Sequence, residues 1–331
     1  MDQLLHLKKN KGLLDLRWKI IRGLREFFWE QKFQEVEAPT VVQFPGQEPY
    51  LSPVSTTIHN EKGEAFFGYL HTSPEYAMKK YLATVYKNIF YLGKVFRDYE
   101  SFGGLHNPEF TMIEWYRTEA NMFDIMNDVE QLLKRLSIEF GKGKFDNVQR
   151  ISMRQIWKDK IDVDLEQYLT REEMEQLCVD WGYKPEKNEA YEYLFYRIFL
   201  NEIEPSLVQK GAIIIYNYPS QMAALAKISK SNPNVAERFE LYINGIEVAN
   251  AFSELTDETE QRKRFIEEQR VRKKLGFPKI NLDEEFLLAI KQMPPSAGIA
   301  LGVDRLVQAM LGEKNIDGIL PFGAKQLWKK Q

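Results

Sequence analysis

Residues 238–252 read Arg-Phe-Glu-Leu-Tyr-Ile, then Asn-Gly, then Ile-Glu-Val-Ala-Asn-Ala-Phe. An Asn-Gly pair between two strand-like runs is the strongest short-range hairpin cue, because both turn positions need a positive φ. A two-residue turn pairs Ile243 with Ile246, Tyr242 with Glu247 and Glu240 with Ala249. Glu240 and Glu247 then share a face as diagonal neighbours, within reach of one ion. Two carboxylates so placed suit a hard divalent cation, although a solvated strand face is the commoner meaning of such a pair. The small Ala249 and Ala251 beside Glu247 either leave room for a ligand or pack in the core.

Other segments add strands and helices around this hairpin. Residues 89–97 and 108–117 read as a second hairpin with a glycine-bearing tip at 101–105. Alternation puts Phe110, Met112, Glu114 and Tyr116 on one face of its second strand. Residues 13–34 carry Leu13, Leu16, Ile20, Leu24, Phe27 and Phe28 at helical spacing, and Pro39 lies beyond the helix. The stretch 43–55 holds three prolines and one glycine and reads as a loop. Ser73-Pro74-Glu75 is a helix start, with serine as cap and proline at the first helical position; that helix is expected to reach about Lys87. Residues 121–140 read as helix, and 141–210 as a mainly helical insertion in a single domain spanning 1–331. Residues 212–216 form a short buried strand, and 299–303 a strand leading into a helix that begins near Asp304 and Arg305. The fold class is α+β, an antiparallel mixed sheet flanked by helices.

Composition removes several functions. The 331 residues include one cysteine, Cys178, and four histidines at 6, 59, 71 and 106. A disulfide framework and a multi-cysteine zinc site are excluded. No phosphate loop, dinucleotide fingerprint or nucleophile elbow is found. The net charge of −3 gives no global nucleic-acid footprint. With no apolar leader and no run long enough to span a bilayer, a soluble cytoplasmic protein is expected. Arg97 and Arg305 are candidate phosphate ligands, since guanidinium pairs bidentately with phosphate. Gly298 and Gly302 leave space for a planar base or a phosphate against the backbone.

Taken in order, these segments resemble the class II aminoacyl-tRNA synthetase catalytic core, in its lysyl branch. The 13–34 helix leading to Pro39 is similar to motif 1. Phe96-Arg97 through His106-Asn107-Pro108-Glu109-Phe110-Thr111-Met112-Ile113-Glu114 is similar to motif 2, and Gly298-Ile-Ala-Leu-Gly302-Val-Asp-Arg305 to motif 3. The blocks 72–75, 218–226 and 238–257 also fit that branch. About 12 residues precede the first helix and about 26 follow Arg305, so no anticodon-binding domain is expected at either end. Within the class, Thr-Ser-Pro-Glu-Tyr at 72–76, Phe-Thr-Met-Ile-Glu-Trp-Tyr at 110–116 and Ala300 resemble the elongation factor P lysine ligases.

That resemblance implies a two-step reaction. ATP and lysine or (R)-β-lysine form an aminoacyl-adenylate, and the acyl group passes to a lysine side chain of elongation factor P. Arg97, Glu247 and Arg305 would be catalytic, with the two arginines on the phosphates. Glu100, His106, Asn107, Phe110, Val248 and Gly302 would complete the ATP site, Asn107 and Phe110 against adenine. Glu240 and Glu247 would hold Mg²⁺. Ser73, Glu75, Glu114, Tyr116, Asn250, Glu254 and Ala300 would form the amino-acid site, with Glu254 and Tyr116 on the distal ammonium. A homodimer paired through the first helix is implied, and tRNA is not an expected partner. The alternatives are a truncated lysyl-tRNA synthetase-like enzyme with another acceptor, or a non-catalytic regulatory paralogue; the presence of Arg97, Glu240, Glu247 and Arg305 weighs against the latter. Three departures stand out. The motif 2 loop is one residue longer than the family's, so Glu100 is assigned the nucleotide role although Tyr99 holds the direct register. The loop also lacks an arginine before His106. Glu254 is opposite in strand parity to Glu247, so a bulge or strand end must re-aim the chain if both face one site.

Overall fold

A computed structural model describes residues 3–141, 145, 147–208 and 211–328. Parts of the 141–210 insertion (142–144, 146, 209 and 210) and of the 1–331 domain (1, 2 and 329–331) therefore lie outside the described residues. In chain order the elements are α1 (Gln3–Glu30), β1 (Gln34–Glu35), β2 (Val41–Val42), β3 (Ser55–His59), β4 (Ala65–Leu70), α2 (Glu75–Leu82), β5 (Ile89–Phe96), β6 (Glu109–Thr118) and α3 (Met122–Phe140). Then come β7 (Gln149–Ser152), α4 (Met153–Ile161), α5 (Arg171–Asp180), α6 (Tyr191–Ile198), β8 (Ala212–Pro219), β9 (Val235–Ile243) and β10 (Ile246–Ser253). The chain ends with α7 (Glu258–Lys274), α8 (Glu284–Gln292), β11 (Ser296–Gly302), α9 (Val303–Leu311) and α10 (Ala324–Leu327).

Eight strands form one sheet in the order β1-β5-β6-β11-β10-β9-β8-β7. Only the two outer pairs, β1 with β5 and β7 with β8, are parallel. β2, β4 and β3 form a separate small sheet. One face of the large sheet is covered by α1, α3 and α9. Ile20, Leu24, Phe28, Val129, Leu132, Leu133, Leu306 and Val307 meet strand residues such as Trp115, Leu241 and Ala251 in a single core, whose burial drives the layer together. The opposite face carries the candidate site. Helices α4, α5 and α6 cover its distal end, where Trp157, Phe195 and Phe199 pack on Ile213, Ile215, Tyr218 and Tyr242. Cys178 is buried here and its thiol donates to the Leu194 carbonyl; burial pushes its pKa up to about 11, which fits a packing role. Among the described residues no helix is long and apolar enough to cross a membrane.

Three boundaries differ from those read in the sequence. Helix α1 starts at Gln3 rather than 13 and stops at Glu30 rather than 34. Tertiary contacts fix its early turns: His6 is buried and its Nε2 lies 2.9 Å from the Leu320 carbonyl oxygen. Its stop is a left-handed turn at Lys32 (φ 60°), with Phe33 N–H donating to Phe28 O and Lys32 N–H to Trp29 O. This is the glycine-type helix ending built on a lysine, so no glycine signals it. Helix α2 ends at Leu82, not Lys87, because Thr84 folds back and its hydroxyl donates to Tyr81 O at 2.6 Å. The Asn-Gly hairpin forms as read, with Ile243 opposite Ile246 and Tyr242 opposite Glu247. The register then shifts, and Glu240 faces Asn250 rather than Ala249. The extra residue is Val248, whose side chain is buried in the core.

Candidate active site

The open face of the sheet holds a cavity of about 310 Å³, lined by β6, β10 and β11 below and by the 47–51 loop, α2 and α7 at the sides. β6 places Phe110, Met112, Glu114 and Tyr116 in it, as strand alternation requires. β10 contributes Glu247, Asn250 and Phe252, followed by Glu254. The bulge at Val248 is what gives Glu247 and Glu254 one face despite their opposite parity.

One end of the cavity is acidic. Glu75, Glu114 and Glu254 converge on it, and one ammonium of the protein itself joins them. Lys79 is fully buried, with Nζ 2.6 Å from Glu75 Oε1 and 2.7 Å from Glu254 Oε2. Burial alone would lower the Lys79 pKa, but Glu254 and Glu75 outweigh it and raise it. Glu254 is pushed up to about 7 by burial, with Lys79 opposing. Glu114 accepts the Tyr116 hydroxyl on Oε1 at 2.7 Å; its Oε2 is buried with no hydrogen-bond partner among the described residues. Burial and then Glu75 drive its pKa well above the carboxylate range. A buried acceptor left unpaired is costly, and an incoming ammonium would relieve it. Ala300 lies between Asn250 and Glu114 in the strand register with its methyl on the cavity. Ser73 also lines the cavity, and its hydroxyl accepts the Glu75 N–H.

Two of the groups expected on the distal ammonium have partners within the protein. Glu254 Oε2 is taken by Lys79, and the Tyr116 hydroxyl is spent on Glu114. The space over Gly298 is not held for a base or phosphate. A Cβ there would lie 2.2 Å from the Tyr116 ring and 2.9 Å from Glu254 Oε1, so this glycine seats two site side chains. At Gly302 a Cβ would meet nothing closer than the Val248 carbonyl oxygen at 3.7 Å, and there the space is open.

The other end is basic. The Arg97 guanidinium lies 5.1 Å from the Phe110 ring centroid, and its buried Nε has no hydrogen-bond partner among the described residues. Burial lowers its pKa, opposed first by Glu48. Arg305 Nη1 donates to the Glu247 carbonyl oxygen at 3.0 Å, and Nη2 lies 2.7 Å from His106 Nε2. Burial and then Arg305 keep the His106 pKa low. In the long loop Tyr99 adopts φ 58° and points into solvent, whereas Glu100 lines the cavity and lies 3.8 Å from His106 Nδ1. The Asn107 side chain is committed elsewhere, donating to Glu109 O and accepting the Ala324 N–H, which leaves a ligand only its backbone. Val248 likewise offers backbone alone. Asn250 lines the cavity while accepting Arg238 Nε.

Glu247 opens onto this end, and its pKa is raised to about 7 by desolvation and then by Glu240, against Arg305, Arg238 and Arg97. Mutual repulsion of this kind suits a cation between the two carboxylates. Glu240 is less available than its spacing suggests. Its Oε1 accepts from Arg238 and Tyr196, and its Oε2 from Tyr218 and Tyr242. Four donors fill a carboxylate's lone pairs, so a cation touching Glu240 must displace one tyrosine hydroxyl. Among the described residues no group of three or more His, Cys, Asp or Glu is placed to hold a metal.

Lys79, Glu48 and Glu268 are cavity or near-cavity residues that reading the sequence did not pick out. Lys79 sits four residues after Glu75 on α2, a spacing at which helical side chains meet. For Glu48 and Glu268 the chain offers no local signal.

The fold agrees with the family comparison. The family model described as tRNA synthetases class II (D, K and N) matches residues 3–326. The chain belongs to that family. Among its relatives, the elongation factor P–(R)-β-lysine ligase of Histophilus somni (strain 2336) is 38% identical over 310 residues, covering 92% of this chain and 93% of the relative. The protein of that name from Mannheimia succiniciproducens is 38% identical over 309 residues, 93% of each chain. That of Haemophilus influenzae (strain PittGG) is 37% identical over 314 residues, 94% of each.

Proposed function

We propose that the chain is an ATP-dependent, AMP-forming ligase that activates (R)-β-lysine or lysine and transfers it to a lysine side chain of elongation factor P. The observation that carries this reading is one continuous cleft with opposite chemistry at its ends. Three carboxylates around a single ammonium, with Glu114 Oε2 unpartnered, suit a substrate bearing two ammonium groups. Arg97 and Arg305 suit the phosphates. Between them the substrate carboxylate meets the α-phosphorus. Arg97, whose Nε is unpartnered, takes the charge that develops on the α-phosphate, and Arg305 exchanges His106 for the departing pyrophosphate. Phe110 is the stacking surface for adenine. No side chain serves as a covalent nucleophile, and rate comes from positioning and charge stabilisation.

Glu247 and, after release of a tyrosine hydroxyl, Glu240 are the residues that would hold Mg²⁺, which supplies neutralising charge to phosphate oxygens. The reading includes a homodimer paired through α1, on which Trp18 and Trp29 stand exposed, and a cytoplasmic reaction. The name shared by the relatives supports the protein acceptor. Pyrophosphate exchange into ATP tests the first step: it should depend on (R)-β-lysine or lysine. Absence of exchange with both amino acids would overturn the assignment.

A further inference from the structure

The cavity wall opposite the sheet carries two carboxyl groups to which the function proposed above gives no role. Glu48 lies on the 47–51 loop and Glu268 on α7, and both line the cavity. The Oε2 atom of each is buried and has no hydrogen-bond partner among the described residues. Each is within electrostatic reach of the other. Glu48 is also within reach of Glu75 and Lys79 at the amino-acid end and of Arg97 at the phosphate end. It therefore sits beside the junction where an acyl–phosphate bond would form and break.

The loop is built to hold it there. Arg272 of α7 donates to the carbonyls of Glu48 and Leu51 at 3.0 and 2.9 Å, and Gln47 donates to the Asn281 carbonyl. The Glu48 carboxyl folds back over Gly46, where a Cβ would lie 2.1 Å from Oε2.

We propose that Glu48, with Glu268 beside it, is the proton acceptor for the amine that attacks the aminoacyl-adenylate in the transfer step. This rests on the function proposed above. The acceptor's ε-ammonium gives one proton to the Glu48 carboxylate. The free amine attacks the acyl carbonyl, the N–C bond forms, and the C–O bond to phosphate breaks. AMP leaves with that electron pair, and its phosphate takes the second proton of the nitrogen. Burial and then Glu75 raise the Glu48 pKa above the usual carboxylate value. Glu268 is pushed up to about 8 by burial and then by Glu48. Both move towards the range in which a general base works near neutral pH.

The test separates the two half-reactions in the whole enzyme. Glu48→Gln should slow aminoacyl transfer to elongation factor P at least thirtyfold while amino-acid-dependent pyrophosphate exchange changes less than threefold. Trapping of the adenylate by hydroxylamine, an amine already unprotonated at neutral pH, should change as little as exchange does. Gly46→Ala displaces the carboxyl without removing it and should show the same selective defect. Glu48→Asp should restore part of the transfer rate. Equal loss of exchange and transfer in Glu48→Gln, or a transfer rate like that of the unaltered enzyme, would overturn the proposal. An unaltered enzyme lacking exchange altogether would instead overturn the function on which it rests.

Discussion

At the scale of single residues, the acidic end of the cleft is defined by a charge balance. Lys79 neutralises one of the three carboxylates around it, and the pocket remains short of positive charge. Glu114→Gln keeps the shape and removes the carboxyl group that can ionise against an entering ammonium. We expect the KM for (R)-β-lysine in the exchange assay to rise roughly 10- to 100-fold, the loss of a hydrogen bond to a charged group being worth about 1.5–3 kcal/mol. An unchanged KM would remove Glu114 from the substrate site. Glu247→Gln should abolish adenylate formation by weakening the hold on Mg²⁺, and an unaltered exchange rate would refute that role. Ala300 is a subtler case. Replacing it by glycine removes one methyl from the cavity between Asn250 and Glu114, and should shift the kcat/KM ratio between lysine and (R)-β-lysine about tenfold or more, the worth of a methyl-sized change in a tight pocket.

Glu114 was legible from strand alternation, a strict geometric rule, whereas Glu254 was found by motif against its parity and needs the bulge at Val248 to reach the cavity. Lys79 was less so. A lysine in an amphipathic helix is usually solvated, and only the fold brings Glu254 to its other side. The space over Gly298 was read correctly as close approach, but the approaching groups are Tyr116 and Glu254. Which neighbour fills a glycine's gap is decided by tertiary packing.

At the scale of elements, the Asn-Gly hairpin was predictable and its register only half so. The turn chemistry is local, whereas the bulge at Val248 is imposed by packing its side chain into the core beneath the sheet. That single extra residue is what turns Glu247 and Glu254 to one face. The same distinction explains helix α1. Its apolar period was visible, but its first turns depend on His6 reaching Leu320, and its end depends on a lysine in a left-handed conformation. Since L-residues other than glycine pay for that conformation, Lys32→Gly should stabilise the fold by about 0.5–1 kcal/mol, measured by denaturant unfolding. A loss of stability would show that the Lys32 side chain makes a contact worth more than the strain.

At the scale of the whole molecule, the sheet joins the two halves of the site. β6 and β11 line the acidic end, while Arg97 beyond β5 and Arg305 after β11 line the basic end, where the proposed function puts the phosphates. Such a cleft concentrates raised carboxyl pKa values, and this has a consequence for stability. Glu254 and Glu247 titrate at about 7 and Glu268 at about 8 in the folded chain, against an ordinary 4.5. Between those values the folded state binds more protons than the unfolded one, so folding is favoured less as the pH rises. The Tm of the ligand-free protein should therefore fall between pH 6 and pH 8.5, and Glu268→Gln should make the fall shallower. A Tm that is flat or rises across that window would contradict the raised values.

The central claim joins an amino-acid-activating cleft to a protein acceptor. Its most direct test is the intact mass of elongation factor P after incubation with this enzyme, MgATP and (R)-β-lysine or lysine, alongside tRNA treated in the same way. Elongation factor P should gain one amino-acyl residue, located on a lysine side chain, and tRNA none. A gain on tRNA with none on elongation factor P would contradict the central claim.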